Sequence, residues 1–206
     1  MKISYAIPVC NEHIELERLI KFLNKHKREE DEIVIVCDEG NTTAEVNDVL
    51  AVLFDDITRV DENPLNKDFA QQKNYLTKIC TGDWVFLIDA DELPNEYLLE
   101  ALPEIIHGNP DVEAYWVPRI NTVEGLTEDH TTKWKWNVDG KGWVNFPDYQ
   151  MRLYRNNGVI KWIKPVHEQL TGFTKFAHLP TEKVYCLNHP KEIKRQEQQN
   201  KFYEGI

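Results

Sequence analysis

The chain has 206 residues, 41% of them apolar, which suits one α/β domain with a real core. Its 24 basic and 35 acidic residues leave a formal charge of -11, which argues against a sequence-nonspecific nucleic-acid binder, whose affinity rests on neutralising phosphates. No apolar run approaches the ~18 residues that span a bilayer, so a cytoplasmic protein, at most peripheral at a membrane, is expected.

In chain order, Ile3 to Val9 is a short apolar run ending at Asn11-Glu12, read as a strand rather than a secretory leader. Leu16, Leu19, Ile20 and Leu23 then form the apolar stripe of a helix. Ile33 to Cys37 is a β-branched run that suits a strand covered on both faces, and it breaks at the turn signal Asp38-Glu39-Gly40. A helix is predicted from about Thr42 to Phe54, and a short strand from Ile57 to Val60. Phe69, Leu76, Ile79 and Cys80 mark a third helix that stops near Gly82. Trp84 to Ile88 is a fourth strand carrying Asp89-Ala90-Asp91-Glu92 at its carboxyl end, and a helix follows with Leu98, Ala101, Leu102 and Ile105 on one face. Alternating strands and helices predict a mostly parallel sheet with helices on both sides.

After about Asn109 the pattern changes. Tyr115 to Pro118 reads as a strand end, and Asn121 to Pro147 as loops and short strands. Tyr149 to Tyr154 and Val159 to Ile163 read as a hairpin turning at Asn156-Asn157-Gly158, and the tail from Lys191 as a polar helix. Cys10, Cys37, Cys80 and Cys186 form no Cys-x-x-Cys pair and are expected to be reduced core residues. Without a secretory segment, Asn41-Thr42-Thr43 is not read as a glycan acceptor. Two groups of basic residues stand out locally: Lys133, Lys135 and Lys141, and Lys191, Lys194 and Arg195.

Open α/β sheets bind ligands at the carboxyl ends of their strands, where the 89–92 cluster lies. In an extended strand Asp89 and Asp91 point to one side, roughly 6–7 Å apart. One carboxylate can then reach a metal while the other holds a metal-bound water or a ribose hydroxyl. Such hard oxygen ligands suit Mg²⁺ or Mn²⁺. The competing reading is a solvated turn capping the next helix.

Four segments carry a family resemblance: Ile7-Pro8-Val9-Cys10-Asn11-Glu12; Val36-Cys37-Asp38-Glu39-Gly40-Asn41-Thr42; Gln72-Lys73-Asn74 through Thr81-Gly82-Asp83-Trp84 to Asp91-Glu92; and Met151-Arg152-Leu153-Tyr154-Arg155 with Val166-His167-Glu168. In these the chain resembles the family 2 glycosyltransferases, closest in pattern to the subgroup with lipopolysaccharide-core glucosyltransferases. The resemblance implies a GT-A-type, Rossmann-like α/β fold with a smaller acceptor-side subregion. It would be a single domain, with residues 1–109 binding the nucleotide sugar and 110–206 the acceptor. It implies a nucleotide-sugar donor, expected to be a UDP-sugar, lined by Pro8, Asn11, Glu12, Asp38, Lys73, Asn74, Asp89 and Ala90. Asp91 would ligate Mn²⁺ or Mg²⁺, with Asp89, His167 and His189 as further candidates. The second turn departs from the usual Asp-Asp-Gly-Ser-Thr by carrying Glu39.

Sugar transfer needs a base for the acceptor hydroxyl's proton. Glu168 is the first candidate and Asp148 the second; a polar surface pair is the alternative for His167-Glu168. Trp134, Trp136 and Trp143 lie in a polar, glycine-containing stretch and are candidate acceptor-stacking residues, unless they pack a loop onto the sheet. The acceptor class stays open among a glycan, a lipid-linked glycan, a lipopolysaccharide core, a protein and a modified nucleobase. A nucleotidyltransferase would show a Gly-rich basic loop after the first strand, which is absent after Val9. A non-catalytic relic of the fold need not keep the acidic cluster.

Overall fold

A computed structural model describes residues 1–204. The first half alternates as expected: β1 (Ile3–Val9), α1 (His13–His26), β2 (Glu32–Asp38), α2 (Ala44–Val52), β3 (Arg59–Asn63), α3 (Phe69–Ile79), β4 (Trp84–Leu87) and α4 (Glu96–Gly108). There follow β5 (Ala114–Glu124), α5 (Glu128–Trp134), β6 (Val144–Arg155), β7 (Lys161–Ile163), β8 (Gln169–Thr171), β9 (Phe176–His178), β10 (Leu187–Glu192) and α6 (Ile193–Glu204).

The main sheet runs β10-β5-β6-β4-β1-β2-β3, with β9 added beside β5. β1 pairs in parallel with β2 and β4, and β2 with β3. β6 is antiparallel to both β4 and β5. Its first half therefore lies at the end of the sheet where the parallel strands finish. Successive strand residues face opposite sides. Trp84, Phe86 and Ile88 pack with α1 and α4 residues such as Leu16, Leu19 and Leu98. Val85 and Leu87 pack with Ala70 and Leu76 of α3 on the other side. Among the described residues no helix is long and apolar enough to cross a membrane. All four cysteines are free; three are buried and Cys10 is half-buried.

Several expectations give way in the second half. The hairpin of Tyr149–Tyr154 with Val159–Ile163 does not form. β6 is central, with Met151 to Tyr154 all buried, and β7 instead pairs with β8 in a separate two-stranded sheet. β5 does not end at Pro118 but runs on to Glu124. On its outer edge β9 covers Ala114 to Trp116 and β10 covers Arg119 to Glu124, so Pro118 falls where that ladder is interrupted. α5 lies inside the stretch read as loops. Its Thr127 cap is reciprocated by His130 in a capping box, where Glu or Gln is the usual partner. β3 lies two to three residues beyond the predicted run, because this half-exposed edge strand carries polar residues.

Candidate functional site

The carboxyl ends of β1, β2 and β4 converge as predicted, and β10 is drawn in beside them. Leu93 and Asn188 exchange backbone hydrogen bonds of 2.8 Å each way, pinning the acidic turn after β4 to β10. That contact brings His189 Nε2 to 3.3 Å from Asp91 Oδ2. Lys191 Nζ at 3.9 Å and Arg195 at 3.8 Å also face that oxygen. Burial alone would raise the Asp91 pKa; the His189 hydrogen bond and the charges of His189, Lys191 and Arg195 outweigh it and hold the carboxyl well below its usual range.

Asp89 has different company. It is ion-paired with Arg152 of β6, which also donates to Glu92 Oε1 at 2.6 Å. Burial opposes ionisation of Asp89, but Arg152 and then Lys73 keep its pKa lowered. Glu92 is fully buried and acts as the keystone of this turn. It accepts from the Asp89 amide at 3.1 Å, from Arg119 at 2.8 Å and from Arg152. Arg152 Nε alone among buried polar side-chain atoms of the described residues has no hydrogen-bond partner.

The expected donor residues divide. Asp38 is buried; its Oδ1 accepts from the Leu65 amide at 2.9 Å, tying β2 to the loop before α3. Glu12 folds back on its own loop, accepting from the amides of Cys10 and Asn11 at 3.0 Å each, and reaches Arg195 at 3.0 Å. Asn11 is exposed beside it. Pro8 lies within β1 opposite Val36, and Ala90 is buried in the core, so both contribute backbone and shape. Asn74 is engaged by the backbone of β7. Its amide spans β7, donating to Trp162 O at 2.9 Å and accepting from Trp162 N at 2.8 Å, which occupies both ends of the side chain.

Lys73 and Glu168 come together from α3 and the end of the β7–β8 loop as an ion pair. Lys73 Nζ also sits 4.8 Å from the centre of the Trp162 ring. Both line a cavity of about 250 Å³, walled by Trp116, Trp162 and Phe173 and floored by Met151 and Arg152. Asp148, the second base candidate, is tied down. Its Oδ2 accepts from Arg119 at 2.7 and 2.9 Å and from Asn121 at 2.8 Å, and its Oδ1 accepts from Gln150 at 2.7 Å. Burial would raise its pKa, yet Arg119 and these donors leave it lowered, which makes it a weaker base.

Of the four metal candidates, the structure brings Asp91 and His189 together. Asp91 and His189 present an oxygen and a nitrogen to one spot. His189 Nδ1 meets Asn121 Oδ1 at 2.6 Å, which fixes the ring. Asp89 is held by Arg152, and His167 sits on the β7–β8 loop. Among the described residues no three His, Cys, Asp or Glu side chains are grouped to hold a metal ion. The Asp91 carboxylate fits Mg²⁺ or Mn²⁺, which is commonly held by one or two carboxylates and completes its shell with water and phosphate oxygens, and His189 would add an imidazole nitrogen.

The aromatic expectation shifts as well. Trp134 and Trp136 pack on each other at 4.8 Å, and Trp143 packs on Phe146 at 4.8 Å, on the excursion between β5 and β6. None of the three lines the cavity; Trp116 and Trp162 do. Sequence reasoning also missed Arg119 and, though Arg152 lies in a segment that carries the resemblance, gave it no role. The available signal was a charge inside an otherwise apolar strand, as in Met151-Arg152-Leu153-Tyr154.

Residues 4–165 match the family described as Glycosyl transferase family 2, and the chain belongs to that family. No curated protein matches the sequence. Among solved structures, residues 1-349 of S. aureus TarS in complex with UDP-GlcNAc align at a TM-score of 0.68 and 17% identity, over 93% of this chain and 59% of that one. The same TarS fragment alone aligns at 0.65 and 15% identity, over 92% and 60%. This chain thus spans about 60% of those structures' length. At such identities the likeness is one of fold, the mixed α/β GT-A architecture.

Proposed function

We propose that the chain transfers a hexose or pentose from a UDP-sugar to an acceptor hydroxyl, with inversion at the anomeric carbon. The observation that carries this reading is the placement of Asp38, Asp89 and Asp91 at the carboxyl ends of β2 and β4, with His189 of β10 against Asp91, in a chain of this family. Uridine is favoured because TarS, of the same architecture, was solved with UDP-GlcNAc.

In this scheme Asp38 and Asp89 contact the nucleoside, and Asp91 and His189 would hold Mn²⁺ or Mg²⁺. Such an ion would supply positive charge to neutralise the diphosphate. Glu168, at the cavity wall, takes the proton of the acceptor oxygen as that oxygen bonds to the anomeric carbon. The bond from that carbon to the diphosphate breaks, and the nucleoside diphosphate leaves. The cavity's aromatic walls suit the apolar face of a sugar ring, in keeping with a glycan or lipid-linked glycan acceptor, and would equally stack on a nucleobase.

The test is a thermal-shift panel of nucleotide sugars in Mn²⁺, followed by donor turnover. A UDP-sugar that binds the folded chain is expected to raise the melting temperature, by an amount that grows with the logarithm of its concentration over its dissociation constant. Asp91→Asn should remove turnover with the fold intact. Full turnover in excess chelator would overturn the metal's part; stabilisation by no nucleotide sugar would overturn the donor.

A further inference from the structure

Beside the acidic pair lies a basic group that the scheme above leaves unused. It comes from one continuous stretch, β10 running into α6. The sequence groups Lys191, Lys194 and Arg195, and the structure separates them. Lys194 is exposed, whereas Lys191 and Arg195 turn toward Asp91.

Lys191 is in an unusual position for a lysine. Its side chain is only 7% exposed. Among the described residues its one hydrogen bond goes to Gln199 Oε1, at 2.6 Å. Asp91 at 3.9 Å supplies opposite charge but no hydrogen bond. An ammonium withdrawn from water is costly until its remaining N–H groups find acceptors. Arg195 stands across from it with acceptors that can be exchanged: NH1 donates to Glu15 at 2.8 Å and NH2 to Glu12 at 3.0 Å. Glu12 follows the carboxyl end of β1, and Asp91 follows that of β4, its neighbour in the sheet. The two cations therefore face the gap between those strand ends.

We propose that Lys191 and Arg195 are the anchors of the donor's diphosphate, a role that rests on the donor reading above. The ammonium of Lys191 gives its spare N–H groups to phosphate oxygens. Arg195 gives up a carboxylate partner and takes a phosphate in the forked geometry that guanidinium offers. Both charges then oppose the negative charge that grows on the leaving diphosphate.

The experiment is calorimetric titration of the full chain in Mg²⁺ with UDP, with uridine and with inorganic pyrophosphate. Lys191→Gln and Arg195→Gln are expected to weaken UDP and pyrophosphate about 10–100-fold, the range for losing a charge-assisted contact, and to leave uridine unchanged. Lys194→Gln, an equal loss of charge at an exposed position, should stay near wild type. Lys191→Met serves if the Gln variant does not fold, and the partly exposed Arg195 gives an independent reading. Unchanged UDP and pyrophosphate affinity in folded variants of both residues overturns the anchor assignment alone. A wild-type chain that binds neither diphosphate overturns the donor reading together with it. Binding of pyrophosphate without UDP removes uridine, while the pyrophosphate series still decides the anchors.

Discussion

Asp89 and Asp91 stand two residues apart, and each meets a different set of cations. Arg152 and Lys73 act on Asp89; His189, Lys191 and Arg195 act on Asp91. The turn therefore divides the site. One side belongs to the cavity and Glu168, the other to β10 and α6. Glu168→Gln keeps size and hydrogen bonding but cannot accept a proton. Turnover should fall about 10²–10⁴-fold, the usual share of general-base catalysis, with UDP affinity little changed. Asp148→Asn is the matched comparison. Its carboxylate answers Arg119, so this variant should lose stability by about 1–3 kcal/mol, seen in the urea midpoint, before it loses chemistry. Near-normal turnover in Glu168→Gln beside a folded, inactive Asp148→Asn would move the base to Asp148. At this scale the position of the acids was legible, because Asp38 and Asp89 to Glu92 directly follow apolar strands. Arg119, Arg152 and the burial of Lys191 were not, since each is set by partners on elements 27 or more positions away, or by packing that local sequence does not record.

The elements that the sequence marked well are those whose apolar residues face a helix layer, as in β1, β2 and β4. Three-residue strands such as β7, β8 and β9 are too short for a period to show. β10, Leu187-Asn188-His189-Pro190-Lys191-Glu192, is largely polar, because its inward side chains His189 and Lys191 face the site. The β7–β8 hairpin shows how tightly such a short element is specified. Gly172 follows β8 at a φ of +90, and a Cβ there would lie 2.5 Å from the Val159 carbonyl oxygen. Both the backbone angle and the space exclude a side chain. Gly172→Ala should therefore displace the hairpin and cost about 1–3 kcal/mol. Because the loop of this hairpin carries Glu168, turnover should fall along with stability. Unchanged urea midpoint and turnover would show that the hairpin absorbs the methyl group. Asn74, which clamps β7 to α3, gives the same element its second tether.

On the scale of the whole molecule, the site occupies one end of the parallel strands and a second charged network closes the opposite end. Glu32, at the start of β2, is buried there. It accepts from Lys2 Nζ, Ser4 Oγ, the Thr81 amide and Thr81 Oγ1, each at 2.6 Å. Those donors lie on or beside β1 and β4, so one carboxylate ties the feet of three adjacent strands. Gly82 belongs to the same knot: a Cβ there would stand 2.6 Å from Ser4 Oγ, so the chain can pass β1 this closely only as glycine. Burial pushes the Glu32 pKa up, but the hydrogen bonds from Lys2, Ser4 and Thr81 more than reverse this and bring it down to about 2. A pKa depressed by folding means that the unfolded chain takes up the proton more readily. The stabilisation is therefore complete above the unfolded value of 4.5 and is lost as pH falls toward 2. Glu32→Gln should destabilise the fold at pH 7 by about 3 kcal/mol, as expected for breaking a buried charged network. It should also flatten the loss of stability between pH 4.5 and pH 2, because the titrating group is gone. Urea midpoints of both proteins at about pH 7 and about pH 3 decide the matter: equal drops on acidification would show that Glu32 is not the group that couples acid to unfolding. Asp89 and Asp91 titrate in the same direction at the far end, so the Glu32→Gln curve should flatten but not become level.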